Sequence, residues 1–354
     1  MEKIRIGNRK ISENDSVFII AELSANHDQK FEIAEKTIHA AKEAGADAIK
    51  LQTYTADTIT INSKKDYFKI KQGTIWDGKY YYDLYKEAYT PWEWQPKLKE
   101  IAESIGLVCF SSPFDNSSVD FLEKMNVPAY KVASFEITDI PLIEYIASKG
   151  KPVIISTGVA YEQDIWDALE ACRRMNNNQI ILLKCTSAYP APLQEMNLLA
   201  IPEMQKKFGV IVGLSDHSLG SEVAIAAVAL GAKVIEKHFI LDKSIGGPDA
   251  SFSLDPHEFK KMATNIRNVE QALGKSEYTL SENAIKNRQH SRSLFIVKDL
   301  KKGEAITTEN IRSIRPGYGI LPKFINEFIG KIALMDVEKG TPVNWDLIEK
   351  EKEN

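Results

Sequence analysis

Between residues 17 and 273 the sequence alternates repeatedly between a short apolar run and an amphipathic stretch. Short apolar runs are typical of buried parallel strands, and apolar residues at helical spacing indicate helices that cover them. The predicted strands are Val17–Glu22, Ala48–Gln52, Val108–Ser111, Ala129–Ala133, Val153–Ser156, Ile180–Lys184, Ile211–Leu214 and Val234–His238. The predicted helices include Glu32–Ala44, Trp92–Ile105, Ser117–Met125, Pro141–Ser148, Glu162–Met175, Leu219–Leu230 and Pro256–Leu273.

Eight strands that alternate with helices predict an α/β fold, a (β/α)8 TIM barrel over residues 1–280. A doubly wound open sheet is the alternative, but such a sheet rarely has eight strands at this regular spacing. No Gly-x-Gly-x-x-Gly pattern follows the first strand, which also disfavours a dinucleotide-binding sheet.

The character of the chain changes near Ser281. Residues 281–292 are polar and charged and are predicted to be a linker. Residues 293–354 predict a small β-rich module, in which the similar segments Lys302–Ile306 and Lys339–Val343 suggest two hairpins. Between them lies a glycine-rich loop that carries Arg315.

The composition limits the classes of function. The formal net charge of this 354-residue chain is −4 without a basic block, so we expect no nucleic-acid partner. No apolar stretch approaches the roughly 18 residues of a membrane span, and the first residues lack a secretory signal. Three widely spaced cysteines, Cys109, Cys172 and Cys185, predict reduced thiols in a cytoplasmic protein. Core packing is the favoured role for Cys109 and Cys185, which lie in strand-like runs.

Two histidines mark the ends of successive predicted strands. His217 and His238 are separated by a helical stretch, so a parallel strand–helix–strand unit would bring both imidazoles to one rim of the barrel. Two imidazoles at one rim suit a divalent metal with open coordination positions. The alternative is two unrelated histidines that cap strands by hydrogen bonding.

Lysines also occur inside predicted strands, at Lys50, Lys131 and Lys184. A strand lysine that faced the helices would be buried without a partner at considerable cost. We therefore expect these lysines to face the barrel mouth, where serine and threonine hydroxyls could help them bind a phosphate and a carboxylate. Ion pairs with nearby glutamates are one alternative role, and a Schiff-base lysine is another.

The order and spacing of eight motifs resemble the sialic acid synthase family, and the C-terminal module resembles that family's antifreeze-like (SAF) domain. The motifs are Glu22–His27, Lys50–Gln52, Ser111–Phe114, Lys131–Glu136, Ser156–Gly158, Leu214–Ser218, Glu236–Phe239 and Gly247–Asp249. The resemblance implies an enzyme that condenses phosphoenolpyruvate with an open-chain N-acetylated amino sugar. The products would be a nine-carbon 2-keto acid and phosphate, with C–O cleavage and a divalent metal.

The resemblance also implies roles for individual residues. His217 and His238 would bind the metal, with Mn²⁺ favoured over Mg²⁺ because magnesium prefers oxygen ligands, and with Mg²⁺ and Co²⁺ as the alternatives. Glu22 would manage the proton of a water and is expected to stay ionised, while Glu236 would orient a neighbour. The candidates for binding phosphoenolpyruvate are Lys50, Lys131, Ser134, Ser156, Lys184, Ser187 and Ser215. The candidates for binding the sugar are Gln52, Glu136, Asp249 and Arg315.

In this family the SAF domain lies over the barrel of a second subunit. The resemblance therefore implies a domain-swapped homodimer in which Arg315 completes the partner's sugar site. The structural alternative is a solvated turn arginine.

Within the family, three segments are similar to the pseudaminic acid synthases, whose acceptor is 2,4-diacetamido-2,4,6-trideoxy-L-altrose. They are Ile75–Gly78, Tyr85–Trp94 and Ala133–Asp139. A bulky Phe135 at the sugar site would favour a deoxy, more apolar acceptor, unless it only packs beneath its loop. The alternatives are N-acetylneuraminate or legionaminate synthesis, a class I aldolase, and a carbohydrate-binding or ice-binding protein without catalysis.

Overall fold

The computed structural model describes residues 3–349 and divides between Gly274 and Lys275 into two units. The first unit begins with an antiparallel hairpin that the sequence did not indicate, formed by β1 (Ile4–Ile6) and β2 (Arg9–Ile11). Arg9 forms an ion pair with Asp47, which directly precedes a barrel strand, so the hairpin lies at the amino ends of the strands.

The next eight strands are all parallel and close into a barrel in which β10 pairs with β3, which confirms the predicted fold class. They are β3 (Phe18–Glu22), β4 (Ala48–Thr53), β5 (Val108–Pro113), β6 (Tyr130–Val132), β7 (Val153–Ser156), β8 (Ile180–Cys185), β9 (Ile211–Asp216) and β10 (Val234–His238). Their side chains are almost all buried because helices cover the outside and side chains fill the inside.

The described part of this unit, residues 3–274, contains ten α-helices. They are α1 (Phe31–Glu43), α2 (Ala56–Ile59), α3 (Tyr81–Ala88), α4 (Gln95–Ser104), α5 (Asn116–Lys124), α6 (Ile140–Ala147), α7 (Glu162–Arg174), α8 (Ala200–Phe208), α9 (Glu222–Ala229) and α10 (Pro256–Leu273). The helices α2 and α3 lie within the long insert between β4 and α4. The sequence did not indicate α8, which has proline in its first turn and buries only Ile201, Met204 and Phe208.

Local sequence fixes where several helices begin. Asp115 accepts hydrogen bonds from the amides of Ser117 and Ser118 at the start of α5. At α10, Asp255 and Glu258 form a reciprocal capping box, and Pro256 occupies the first helical position. These contacts satisfy amides that would otherwise lack a partner at the helix end.

The second unit contains the antiparallel pair β11 (Ser293–Ile296) and β12 (Ile311–Ile314) around a small apolar core. The two lysine–glycine segments form turns, with Gly303 and Gly340 both at φ +90°. The predicted pair of hairpins is wrong, because each segment pairs with a distant part of the chain and not with the residues next to it. Ala305 pairs with Ile332, and Pro342 pairs with Phe295.

The unit also contains two short helices, α11 (Glu282–Asn287) and α12 (Ile325–Phe328). The first of these occupies part of the predicted linker. Among residues 3–349, no helix combines the length and the apolar character that crossing a bilayer requires.

Candidate active site

The two histidines come together at the carboxyl ends of β9 and β10. The ring centroids of His217 and His238 are 5.4 Å apart, with an angle of 59° between the planes. Nδ1 of His217 lies 3.0 Å from the Thr186 carbonyl oxygen, which leaves its Nε2 available. Nδ1 of His238 is buried without a hydrogen-bond partner and lies 3.7 Å from Asp249 Oδ2. The pair thus shares one site, as the alternation of strands and helices predicted.

The donor set at this site fits a divalent cation that keeps open coordination positions. Burial lowers the pKa of His238, which favours the neutral imidazole that a metal requires. Burial acts in the same direction on His217, but Cys185 and the Thr186 carbonyl group outweigh it and raise the pKa of this ring, so a metal would have to displace a proton from it. Over residues 3–349, no group of three or more His, Cys, Asp or Glu side chains is arranged to hold a metal. Water and substrate oxygens would therefore have to complete the coordination of an ion at the two imidazoles.

Lys50 is held between two buried carboxylates. Its Nζ lies 3.0 Å from Glu22 Oε2 and 3.0 Å from Glu236 Oε1. Glu236 Oε1 also accepts a hydrogen bond from Ser215 Oγ at 3.2 Å and lies 4.0 Å from the Nζ of Lys131. Glu236 thus orients its neighbours as predicted, whereas the charge of Lys50 is already paired within the protein.

The protonation of Glu22 differs from the expectation. We expected this carboxylate to stay ionised beside cations, but burial raises its pKa to about 7 even though the charge of Lys50 acts in the opposite direction. Gln52 Nε2 donates to Glu22 Oε1 at 2.9 Å and to Ser24 Oγ at 3.0 Å. Burial therefore makes the protonated form of Glu22 more favourable than it would be in water.

The charge of Lys131 is less closely paired with a carboxylate than that of Lys50. Its Nζ donates to the Val132 carbonyl oxygen at 2.9 Å, and its nearest carboxylate oxygen, on Glu236, is 4.0 Å away. Because the side chain is buried, its pKa is lowered to about 8. An anion that entered the site would therefore meet an incompletely paired ammonium group.

Three serine hydroxyls belong to the same end of the barrel. The Gly158 amide donates to Ser134 Oγ at 3.2 Å, and Ser156 Oγ is buried without a partner. A Cβ atom added to Gly158 would lie 2.1 Å from Ser187 Oγ and 2.9 Å from Ser134 Oγ. Ser134 and Ser187 therefore converge on a glycine that leaves them space, an arrangement suited to phosphate oxygens.

Lys184 does not belong to this cluster, which corrects its predicted role in binding phosphoenolpyruvate. The prediction placed all three strand lysines at the barrel mouth, but neighbouring residues of a strand face opposite sides. Cys185 lies 3.8 Å from His217 and faces the site, so Lys184 faces outward. Its Nζ instead contacts the Cys185 carbonyl oxygen at 2.7 Å and Thr186 Oγ1 at 3.4 Å.

A cavity of about 620 Å³ opens beside the histidines. Its polar lining includes Gln52, Glu136, His238 and Asp249, and its apolar lining includes Tyr54, Ile70, Trp76, Leu84, Tyr85, Phe114, Phe135 and Tyr189. Much of the apolar lining comes from the insert between β4 and α4, which therefore shapes what the cavity accepts.

Glu136 and Asp249, which were predicted to bind the sugar, both place carboxyl groups in this cavity. Oε2 of Glu136 is buried without a hydrogen-bond partner, and burial raises the pKa of Glu136 to about 7. Asp249 accepts a hydrogen bond from Ser24 Oγ at 2.5 Å. Phe135 is 62% exposed and lines the cavity, so it does not merely pack beneath its loop.

Sequence reasoning missed several residues of the site. The ring of Tyr189 lies 4.4 Å from that of His217 and 5.4 Å from that of Trp76. Trp76 Nε1 donates to the Pro248 carbonyl oxygen at 3.1 Å. Cys185 is buried as expected, and it also contacts His217. The position of Tyr189 just beyond β8 was the signal available for it, whereas no periodic pattern marks Trp76.

Arg315 lies in the second unit, where it is exposed in the loop after β12. Ser293 fixes this loop, since its hydroxyl donates to the Pro316 carbonyl oxygen at 2.7 Å and accepts from the Gly319 amide at 2.9 Å. The predicted action of Arg315 on a partner's sugar site stays a prediction.

The pKa of Glu136 leads to a test of stability. A carboxyl whose pKa rises on folding stabilises the fold fully below its ordinary value of 4.5, and this contribution is lost as the pH rises through about 7. Glu136→Gln is therefore expected to increase the free energy of unfolding at pH 8 by up to about 3 kcal/mol, with no gain at pH 4. Urea unfolding at pH 4 and pH 8 measures the difference in the free energy of unfolding. Glu100→Gln is the control, because Glu100 is exposed on α4. An equal effect at both pH values would contradict the assignment.

Comparison with known proteins agrees with this architecture. The NeuB family matches residues 37–278, and the SAF domain matches residues 291–349. The pseudaminic acid synthase of Campylobacter jejuni is 50% identical over 95% of this chain and 97% of its own. The pseudaminic acid synthase of Helicobacter pylori is 47% identical over 94% of this chain and 98% of its own.

Among solved structures, N-acetylneuraminic acid (sialic acid) synthetase from Leptospira borgpetersenii, in complex with citrate, has a similar fold. The TM-score is 0.73 at 32% identity, over 81% of this chain and 95% of that one. Together, the family match over most of the barrel and the identity over nearly the whole chain assign this protein to the NeuB family.

Proposed function

We propose that this protein is a pseudaminic acid synthase. It would condense phosphoenolpyruvate with 2,4-diacetamido-2,4,6-trideoxy-L-altrose, to give pseudaminic acid and phosphate. The observation that carries the proposal is the cavity of about 620 Å³, whose aromatic walls adjoin His238 and include Tyr189, which packs against His217. The identity of 47–50% to pseudaminic acid synthases over nearly the whole chain supports the same acceptor.

Phosphoenolpyruvate would bind at the deep, cationic end of the site. Lys131 offers an ammonium group that is not fully paired, and Ser134, Ser156 and Ser187 offer hydroxyls near Gly158. Ser215 and Lys50 would complete the lining, since Glu236 already fixes both. This arrangement supplies both charge and short donors to phosphate and carboxylate oxygens.

His217 and His238 would hold a divalent cation, with Mn²⁺ the first choice because imidazole nitrogens suit it better than Mg²⁺. When bound, such an ion acts as a Lewis acid on the aldehyde oxygen of the acceptor. The protein residues around the pair orient the aldehyde for attack by C3 of phosphoenolpyruvate, which forms the new C–C bond.

Glu22 would manage the remaining proton transfer. A water adds to C2 of the intermediate as positive charge develops there, and Glu22 accepts its proton because its pKa lies near 7. The resulting tetrahedral centre expels phosphate by breaking the C–O bond, so that the carbonyl of the 2-keto acid forms. Gln52 holds the Glu22 carboxyl group in place for this step.

The acceptor would lie along the insert side of the cavity. Phe135, Tyr85 and Trp76 provide apolar surface for the methyl and acetamido groups of a trideoxy sugar. Gln52, Glu136 and Asp249, which also line the cavity, would bind its hydroxyl and amide groups. N-acetylneuraminate or legionaminate synthesis is the alternative.

Phosphate release with phosphoenolpyruvate, Mn²⁺ and a panel of acceptors tests this proposal. We expect rapid release with 2,4-diacetamido-2,4,6-trideoxy-L-altrose and little with N-acetylmannosamine or the legionaminate acceptor. Preferred turnover of either other sugar would overturn the assigned acceptor, and borohydride trapping of pyruvate on Lys131 would indicate an aldolase instead.

We also propose a homodimer in which Arg315 serves the partner's sugar site. Exposed apolar side chains on the second unit, including Tyr318, Ile332, Leu334 and Met335, support an interface there. Arg315→Ala is expected to raise KM for the acceptor about 10- to 100-fold, because charged hydrogen bonds contribute about 1.5–3 kcal/mol, while KM for phosphoenolpyruvate changes little.

Mixing two defective variants, at an acceptor concentration far below the raised KM of Arg315→Ala, tests the action in trans. Subunits with Arg315→Ala and subunits with His238→Ala are denatured together, refolded and assayed. Turnover in the mixture well above that of either variant refolded alone is the expected result. Lack of restoration, with mixed dimers detected by mass spectrometry, would place Arg315 outside the partner's site.

A further inference from the structure

A buried ion pair lies directly behind the histidines, on the outer face of the barrel wall. Lys237 of β10 and Asp216 of β9 are partners in the strand register, and Nζ lies 2.7 Å from Oδ2. Both side chains are completely buried. Because Glu236 and His238 face the site, Lys237 between them faces the helices, a position in which we had expected no lysine to find a partner.

The same two side chains fix the turn that carries His217. Asp216 Oδ1 accepts hydrogen bonds from the Ser218 amide at 2.8 Å and from Ser218 Oγ at 2.6 Å. Lys237 Nζ donates to the Ser218 carbonyl oxygen at 2.5 Å. Contacts at Asp216 and Ser218 therefore hold the chain on both sides of His217. The ammonium group that makes two of these contacts belongs to Lys237, the residue directly before His238.

A charged pair is not needed merely to join these strands. Well-packed apolar residues in place of a buried ion pair are often as stabilising or more so, because burying two charges costs desolvation. The pair here makes directed contacts with Ser218 that an apolar pair could not make. Those contacts set the direction in which the His217 backbone leaves β9.

We propose that Asp216, Ser218 and Lys237 form a clamp that positions His217 against His238 for metal binding. The inference rests on the proposed role of the two histidines as metal ligands. The clamp residues lie behind the site and would touch neither substrate nor metal, so they are positioning residues. Partners of this kind typically change metal affinity about 10- to 100-fold when removed.

The test measures Mn²⁺ affinity without substrates, by electron paramagnetic resonance of the free ion during titration of the full chain. The double variant Asp216→Leu/Lys237→Met replaces the ion pair by apolar residues and is expected to fold. We expect its Kd for Mn²⁺ to rise about 10- to 100-fold while its melting temperature stays close to that of the wild type.

A matched control is Lys151→Met, which removes the lysine of another ion pair, with Glu123, at the start of β7. It should leave Mn²⁺ affinity unchanged. If the double variant does not fold, Ser218→Ala removes only one contact of the clamp and should still weaken Mn²⁺ binding.

Two outcomes would count against the inference in different ways. Wild-type protein that binds no Mn²⁺ would overturn the proposed metal site and the clamp with it. Wild-type protein that binds Mn²⁺, beside a folded clamp variant with equal affinity, would overturn the clamp alone.

Discussion

Replacing His238 by alanine is expected to lower kcat at least about 10³-fold with the fold intact. His238 is the last residue of β10, and the centroid of its ring lies 5.4 Å from that of His217. Without His238 the protein would lose the Lewis-acid activation of the aldehyde, which is worth several kcal/mol. Phosphate release at saturating Mn²⁺, phosphoenolpyruvate and acceptor measures the loss.

His39→Ala is the matched control, because His39 is exposed on α1. It should retain wild-type turnover. Substantial turnover by His238→Ala under the same conditions would mean that the imidazole is a structural strand cap, the alternative considered for both histidines.

The second large effect is expected at Lys131. Lys131→Met removes a buried ammonium group whose nearest carboxylate oxygen is 4.0 Å away, so the apo protein should tolerate it. Binding of phosphoenolpyruvate should weaken at least about 100-fold, since a charged hydrogen bond contributes about 1.5–3 kcal/mol and the charge acts on two anionic groups. Isothermal titration with phosphoenolpyruvate measures this affinity.

Lys184→Met provides a sharp comparison, because Lys184 is also a strand lysine but faces away from the site. Its affinity for phosphoenolpyruvate should stay within about threefold of the wild type, as for a surface substitution. Equal losses in the two variants would show that the assigned direction of Lys184 is wrong.

The barrel could be predicted because most of its strands and helices can be recognised from a short stretch of sequence. Each strand is a short apolar run, and seven of the helices carry an apolar face long enough to recognise. The helix α8 is as long as the predicted α5 and buries Ile201, Met204 and Phe208 at helical spacing, so its sequence also carried a local signal that the prediction overlooked. The hairpin of β1 and β2 has only three residues in each strand, and such short strands depend on tertiary packing.

The site could be predicted in part, because strand ends of a barrel meet at one rim. This rule brought His217 and His238 together correctly. The prediction did not assign faces to the strand lysines: it placed Lys184 at the barrel mouth although Lys184 faces outward, and it did not consider Lys237. Counting alternate residues from His238 would have turned Lys237 outward.

The protonation of Glu22 and Glu136 lay beyond sequence reasoning. In both carboxyls burial raises the pKa to about 7, and burial depends on every element packed around the cavity. The aromatic contacts of Trp76 and Tyr189 likewise arise from loops whose path no periodicity specifies.

Crystals soaked with Mn²⁺ and phosphoenolpyruvate give the most direct test of the whole account. Anomalous scattering from manganese should give one peak within coordination distance of both His217 and His238, with the phosphate against Lys131 and Ser134. A manganese peak away from the two imidazoles, or a phosphate bound on the outer side near Lys184, would contradict it.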